Sequence, residues 1–391
     1  MSKNVFIIGS RGIPARYGGF ETFAQKLVEH KKNPDIKYFV ASQRKNNTPI
    51  ILEDTFEYFG ATVFQIDVGN FGGATPIVYD IKSIRWVISY VKKNSIDNAV
   101  IYILGNTIGP ILKMFTWQLK SLNIKVFVNP DGLEWKRAKW PKPVRCYLKL
   151  AEASMVRTAD LIISDNPGIE DYLRQTYSKI KFSSKYIAYG VDSYNSNEKL
   201  LIPKGNEWLN QNDLQEKQYY LVVGRFIPEN NYETILNEFM LSNTNKKLVI
   251  ITKQEGKFFE YLKNKTHCEL DDRIIFAGTV YDSNLLRFVR ENAYAYIHGH
   301  SVGGTNPSLL EALSTTQLNL LFDVNFNRYV GQNAALYWEK SHNSLAQLID
   351  YVDQLTHVQI ENYRGLARQR VSSEYSWNSI SQEYENLFLG R

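Results

Sequence analysis

Residues 5–29 read VFIIGSRGIPARYGGFETFAQKLVE. Four β-prone apolar residues, Val5–Ile8, run into a loop with glycines at 9, 12, 18 and 19. After it Phe20, Phe23, Ala24, Leu27 and Val28 recur at helical spacing, giving one apolar stripe suited to a sheet face. Strand, glycine turn and amphipathic helix make half of a βαβ unit, and the rhythm continues along the chain. Tyr38–Ala41, Val100–Leu104, Val126–Val128, Leu161–Ser164 and Tyr186–Ala188 read as further strands. The polar run GVDSYNSNEKLLIPKGNEWLNQNDLQEK then lacks a strict period and reads as a hinge over 191–217. Alternation restarts with Tyr219–Val223, Leu248–Thr252, Arg273–Ala277, Tyr294–His298 and Leu320–Phe322, separated by helical patterns such as Tyr232–Leu241 and Pro307–Leu313. The predicted architecture is α/β: two doubly wound, Rossmann-like domains, 1–190 and 218–365, whose strand ends face one cleft.

Length and composition agree. At roughly 150 residues per domain, 391 residues suggest two or three cores. A chain that is 44% hydrophobic, 22% charged and 13% aromatic lies far from the profile of disorder. The net charge of +6 permits an anionic partner but is too small for a nucleic-acid footprint, so no nucleic acid is expected. Two distant cysteines, Cys146 and Cys268, indicate neither a disulfide framework nor a zinc site. With no apolar run near the ~18 residues of a membrane span, the expectation is a cytoplasmic chain in a reducing compartment.

The motifs fall on loops after strands. GSRG lacks the glycine spacing of a dinucleotide fingerprint, and no G-x-x-x-x-G-K-[ST] loop occurs, so hydride transfer and P-loop chemistry lose their support. The first loop brings Arg11, Arg16 and Tyr17 to a sheet edge; a structural turn and a ligand loop both remain open. Residues 298–313, HGHSVGGTNPSLLEAL, carry the strongest local signal. Asn306 and Pro307 are a good N-cap and first helical residue, so the amides of Gly303, Gly304 and Thr305 crowd a helix N-terminus where a diphosphate can bind. Glu311, about a turn further, could reach ribose or sugar hydroxyls; the alternative is a tight loop with a buried glutamate. In VVGRFIPENNYE, residues 222–233, Arg225 leaves a strand end and could hold a leaving diphosphate without a metal, or simply pair with Glu229.

In FVNPDGLEWKRAKW, residues 127–140, Asp131 and Glu134 follow a strand and suit sugar hydroxyls or proton transfer, with solvated turn residues as the alternative. Only His30 of six histidines lies in the first domain, so a histidine base from that side is not expected; His298 and His300 suit structural or substrate-orienting roles. No D-x-D occurs, which weighs against a metal-dependent nucleotide-sugar site. Residues 136–149, KRAKWPKPVRCYLK, hold six basic residues with Trp140 and Tyr147, a mixture suited to an anionic membrane surface or to a solvated basic face.

Taken together, GSRGIPARYGGFET, ILGNT (103–107), NPDGLEWKR (129–137), ADLIISDN (159–166), AYGVD (188–192), GRFIPENN (224–231), GGTNPSLLEA (303–312) and YSWNSISQEYENLF (375–388) resemble the retaining GT-B glycosyltransferases of family 4, and more narrowly the rhamnosyltransferases of Gram-positive capsule and cell-wall polysaccharide assembly. The resemblance implies a GT-B fold with an acceptor-side first domain, a nucleotide-sugar-binding second domain, and a C-terminal helix over 366–391 crossing back to the first. It implies dTDP-β-L-rhamnose as donor and a polyprenyl-diphosphate-linked sugar, glucose or N-acetylglucosamine, as acceptor, with a peripheral enzyme at the inner face of the membrane held through 136–149. No cofactor or metal is implied. Asp131, Arg225 and Glu229 take catalytic roles. Donor binding falls to Gly12, Arg225, Glu229, Asn230, Asn231, Gly278, Thr279, Val280, Gly303, Gly304, Thr305, Asn306 and Glu311, and acceptor binding to Arg16, Tyr17, Gly18, Gly19, Asp131 and Glu134. Two positions depart from the broader family: Gly303 stands where a glutamate is usual and Asn231 where a lysine is common. A sugar-nucleotide epimerase of the same fold and a non-catalytic partner subunit are the competing readings.

Overall fold

Parallel pairing of β1 (Lys3–Ile8) with β2 (Ile36–Gln43) on one side and β5 (Val100–Leu104) on the other sets the frame of the first unit. The computed structural model describes residues 2–15, 18–44, 53–137, 139–192 and 198–391. Five further strands, β3 (Thr55–Tyr58), β4 (Ala61–Ile66), β6 (Lys125–Asn129), β7 (Leu161–Ser164) and β8 (Ser184–Tyr186), complete a sheet of order β3-β4-β2-β1-β5-β6-β7-β8. Only β3 is antiparallel, forming a hairpin with β4 that the sequence reading missed. Its residues alternate exposed and half-buried, as an edge strand does, so it lacks the apolar run used to find the others.

Helices α1 (Gly19–Glu29), α2 (Thr75–Lys93), α3 (Gly109–Leu112), α4 (Thr116–Ser121), α5 (Lys142–Thr158) and α6 (Pro167–Thr176) connect these strands. α1 buries Phe23, Ala24, Leu27 and Val28, the predicted stripe, while Phe20 stays half-exposed. Phe6, Ile8, Phe39, Phe64, Ile101 and Ile103 form a core under α2 with its Ile84, Val87 and Val91.

The second unit begins at Val191. Its sheet holds β9 (Tyr219–Val223), β10 (Lys247–Ile251), β11 (Ile274–Gly278), β12 (Ala295–His298), β13 (Asn319–Phe322) and β14 (Leu336–Trp338), all parallel, in the order β11-β10-β9-β12-β13-β14. α7 (Glu198–Gln211), α8 (Tyr232–Leu241), α9 (Lys257–Thr266), α10 (Ser283–Asn292), α11 (Pro307–Thr315), α12 (Asn325–Gly331), α13 (Ser344–Val352) and α14 (His357–Glu374) cover it. α7 corrects the hinge expected over 191–217. Trp208 and Leu209 of this helix, with Leu214 beyond it, are buried against Tyr219, Leu221 and Phe288. Three apolar anchors spaced among Asn, Gln and Lys were too sparse to register as a period.

The expected C-terminal helix over 366–391 is two helices. α14 ends at Glu374 within the second unit, and α15 (Trp377–Leu389) belongs to the first. There Tyr384 and Phe388 are buried, the Tyr384 hydroxyl lies 3.1 Å from that of Tyr102, and the Glu385 carboxylate accepts from the Lys32 amide at 2.7 Å. Gly190 makes room for this helix, since a Cβ there would lie 2.5 Å from the Trp377 ring. None of the described helices is long and apolar enough to cross a membrane.

Candidate functional site

Each sheet has a topological switch point, where successive connections leave on opposite faces and the strand ends open a crevice. In the second unit it lies between β9 and β12, and both loops singled out from the sequence start there. Phe226 anchors the first: its ring packs 4.3 Å from Tyr232 and 5.4 Å from Phe258. The preceding residue, Arg225, therefore points outward. It is exposed, and its guanidinium makes no hydrogen bond or ion pair among the described residues, so the Arg225–Glu229 pair held open above does not form.

The two loops are stitched together. Ser301 donates to the Glu229 carbonyl from its amide at 2.9 Å and from its hydroxyl at 2.8 Å, and the Asn231 amide donates to the Gly299 carbonyl at 2.8 Å. The Asn230 amide holds the Arg225 carbonyl at 2.8 Å. Gly299 is required by this closeness, because a Cβ there would sit 2.2 Å from the Asn230 carbonyl oxygen. Asn230 and Asn231 are buried, and Asn231 has the left-handed φ of 54°. Their side-chain N–H groups brace the loop that carries Arg225.

Asn306 caps α11 as predicted, accepting from the Ser308 amide at 2.9 Å. Ahead of it Gly303, at φ 147°, borders open space, while Thr305 is buried. Gly278, with φ 76°, ends β11, and Thr279 and Val280 continue from that strand end. Glu311 is one-third exposed and held by the buried Arg290 guanidinium at 2.7 Å; Arg290 also donates to the Ser308 hydroxyl at 3.1 Å. Arg290 had no signal in the sequence, because its partner lies a strand and a loop away. His298 is fully buried, within 3.3 Å of the Tyr296 hydroxyl and stacked on His300 at 4.3 Å. Burial, then the neighbouring His300, holds it well below the usual histidine range, so it stays neutral.

The first unit has its switch point between β1 and β5, and a cavity of about 500 Å³ opens there. Gly9–Arg11, Gly105–Thr107, Asp131 and Glu134 line it from the strand ends, with Tyr79 and Asp80 from α2. The strands approach closely here, since a Cβ on Gly9 would lie 2.3 Å from the Leu104 carbonyl oxygen. Asp131 adopts φ 59°, and its amide donates to the Asn129 side chain at 3.0 Å. Burial raises its carboxyl, with Arg137 pulling the other way.

Glu134, expected to take acceptor hydroxyls, already receives Arg137 at 2.7 Å, Lys139 at 2.6 Å and the Trp140 indole at 2.8 Å. Those contacts reach into 136–149. Arg137 and Lys139 share the one carboxylate of Glu134, Lys149 pairs with Glu152 at 2.9 Å, and the Arg145 guanidinium binds the carbonyls of Lys136 and Arg137. Trp140 lines the cavity. The segment walls the cavity on one side, while Lys136 and Lys142 stay exposed without an ion pair among the described residues.

Asp80 escaped the sequence reading altogether. It sits inside a helix with no motif around it, yet it is 4% exposed, lines the cavity and accepts from the Thr107 hydroxyl at 3.3 Å. Burial pushes its carboxyl up to about 7. Gly12, expected at the donor, has a packing reason instead: a Cβ there would lie 2.1 Å from the Ser42 hydroxyl oxygen. Gly18 and Gly19 lead into α1, the Gly18 carbonyl accepting from Thr22 at 3.1 Å. Arg16 and Tyr17 lie outside the described residues.

Residues 205–368 match the family described as Glycosyl transferases group 1, and residues 2–192 match one described as a domain of unknown function, DUF1972. No curated protein matches the chain. Among solved structures it is similar to a sucrose-phosphate synthase from Thermosynechococcus elongatus, at 17% identity, TM-score 0.75 and full coverage of both chains. A glycosyltransferase from Rickettsia africae follows at 14% identity and TM-score 0.71, covering 100% of this chain and 98% of that one. Anabaena HepE in complex with UDP and glucose is 13% identical, TM-score 0.70, with both chains fully covered. Both units have the Rossmann-like architecture of GT-B glycosyltransferases. The second carries a glycosyl transferases group 1 domain, and the chain is a glycosyltransferase.

Proposed function

We propose that this enzyme transfers a sugar with retention from a nucleoside diphosphate donor held by the second unit to a hydroxyl of an acceptor held by the first. The observation that carries the reading is Arg225: an exposed, unpaired guanidinium on a braced loop, at the same switch point as the Gly303–Thr305 amides and the N-terminus of α11. Similarity to a protein seen with UDP and glucose supports a nucleoside diphosphate sugar as donor. The resemblance in sequence supports dTDP-β-L-rhamnose in particular, and a polyprenyl-diphosphate-linked glucose or N-acetylglucosamine as acceptor.

In the reaction the bond from the anomeric carbon to the diphosphate breaks, the acceptor oxygen bonds to the same face of that carbon, and the hydroxyl proton passes to the departing diphosphate. Arg225 and the helix-end amides stabilise the charge that builds on the leaving group, so a metal is not required for that task. Glu311, set by Arg290, binds donor hydroxyls. Asp131 and Asp80 accept from the acceptor and orient its nucleophilic hydroxyl.

The test is to offer the purified chain a panel of nucleotide sugars together with lipid-diphosphate glucose and N-acetylglucosamine, and to identify products by mass and NMR. A new β-linked rhamnosyl lipid supports the full reading, and an α-linked one would mean inversion. Transfer of another sugar keeps the reaction and replaces the donor, whereas a changed nucleotide sugar without acceptor would make the protein an epimerase.

A further inference from the structure

The outer face of α2 and the α3–α4 segment is rich in cations. Residues 75–93 and 109–121 contain six cationic side chains, Lys82, Arg85, Lys92, Lys93, Lys113 and Lys120, and one carboxylate. That carboxylate, Asp80, is buried on the cavity side. Arg85, Lys92, Lys113 and Lys120 are exposed and make no ion pair among the described residues. Some surface cations elsewhere are matched, as in Arg174–Glu170, Lys204–Asp282 and Arg328–Asp323.

Between the two helical stretches runs a groove of about 550 Å³. Its floor is apolar, Ile88 and Phe115, and its walls are Met114 and Trp117, which are 79% and 78% exposed. Arg85 and Lys92 line the same groove. Arg85, Ile88 and Lys92 follow one another at three and four residues along α2, so they share one side of that helix. An indole and a thioether left in water beside unmatched cations are poor choices for a solvated face and good ones for the boundary between headgroups and acyl chains.

We infer that this α2–α4 face docks the enzyme on an anionic lipid leaflet, with Trp117 and Met114 entering the headgroup layer and Arg85, Lys92, Lys113 and Lys120 meeting lipid phosphates. The inference rests on the proposed lipid-linked acceptor for its purpose, but its test needs neither donor nor acceptor.

Flotation of the full chain with vesicles of phosphatidylcholine alone, and of equal parts phosphatidylcholine and phosphatidylglycerol, reads the contact directly. The chain should float with the anionic vesicles only, and raised salt should release it, since screening acts within ~8 Å at physiological ionic strength. Arg85→Gln with Lys92→Gln should weaken partition roughly 25-fold, about fivefold for each charge lost near the surface. Trp117→Ser should weaken it at constant charge. Unchanged thermal melting of each variant separates lost binding from lost folding. Equal flotation with neutral vesicles, no flotation with anionic ones, or anionic flotation indifferent to the α2 and α4 changes would overturn the inference. Self-association abolished by Trp117→Ser while flotation persists would assign the face to a second copy of the chain and overturn it likewise. If flotation holds but only soluble acceptors are glycosylated, the docking face stands and the lipid-linked acceptor falls.

Discussion

The two switch points share a topology and differ in charge. In the second unit the crevice between β9 and β12 presents an unpaired guanidinium, glycine backbone and a helix N-terminus. In the first unit the crevice between β1 and β5 opens into a cavity lined by Glu21, Asp80, Asp131, Glu134 and Glu152 together with Trp135 and Trp140. Similar strand ends thus present a cation and backbone amides in one case and carboxylates beside indole rings in the other. The frame provides an opening; the side chains that leave the strands decide its ligand.

The contrast breaks first at Arg225. Arg225→Ala should lower transfer by on the order of 100-fold or more, the loss typical of removing a preorganised charge partner from a leaving group. Near-normal turnover in a steady-state assay would mean the second crevice handles its anion without it.

Asp80 offers the next largest effect, in stability and with a defined sign. Its carboxyl is raised from 3.8 to about 7 in the folded chain by burial. The folded state therefore holds a proton that the unfolded state gives up between those values, and this site weakens the fold as pH rises from 3.8 to about 7. Asp80→Asn cannot ionise, so relative to the parent it should gain on the order of 4 kcal/mol across that window. Denaturant melts at several pH values check this, and a gap that stays constant with pH would take the buried charge out of the first crevice.

Asp131→Asn should lower kcat by roughly tenfold with donor affinity kept, short of the ~100-fold of a full general base because the leaving group takes the proton. Weakened donor binding with normal kcat would move Asp131 to the anion side of the comparison. The smallest effect is expected at Glu311. Glu311→Gln keeps the shape but loses the charged contact with Arg290, and calorimetry should find donor affinity reduced about fivefold, near the ~1 kcal/mol of one hydrogen bond.

Much of this was legible in the chain itself. β5, β7 and β9 coincide with the predicted runs, because central parallel strands are apolar on both faces and need no partner to be recognised. The Asn306 cap and the start of α11 were equally readable, since capping is a matter of adjacent residues. The misses share one cause. Edge strand β3 and helix α7 bury few residues each, so their patterns are weak until a neighbour covers them.

Site assignments divide along the same line. That Arg225 follows a strand end and Gly303 precedes a helix is set by local order, and both hold. That Arg290 holds Glu311, that Glu134 meets three donors and that Asn231 braces Gly299 depends on side chains meeting in the fold. Asp80 is the plainest case: one more residue in a helix by sequence, it becomes a carboxyl titrating near neutrality only when the folded chain removes its water. Local sequence determined which groups stand at the ends of the strands. Packing alone decided which of them stay unpaired or dry, because both depend on residues far apart in the chain.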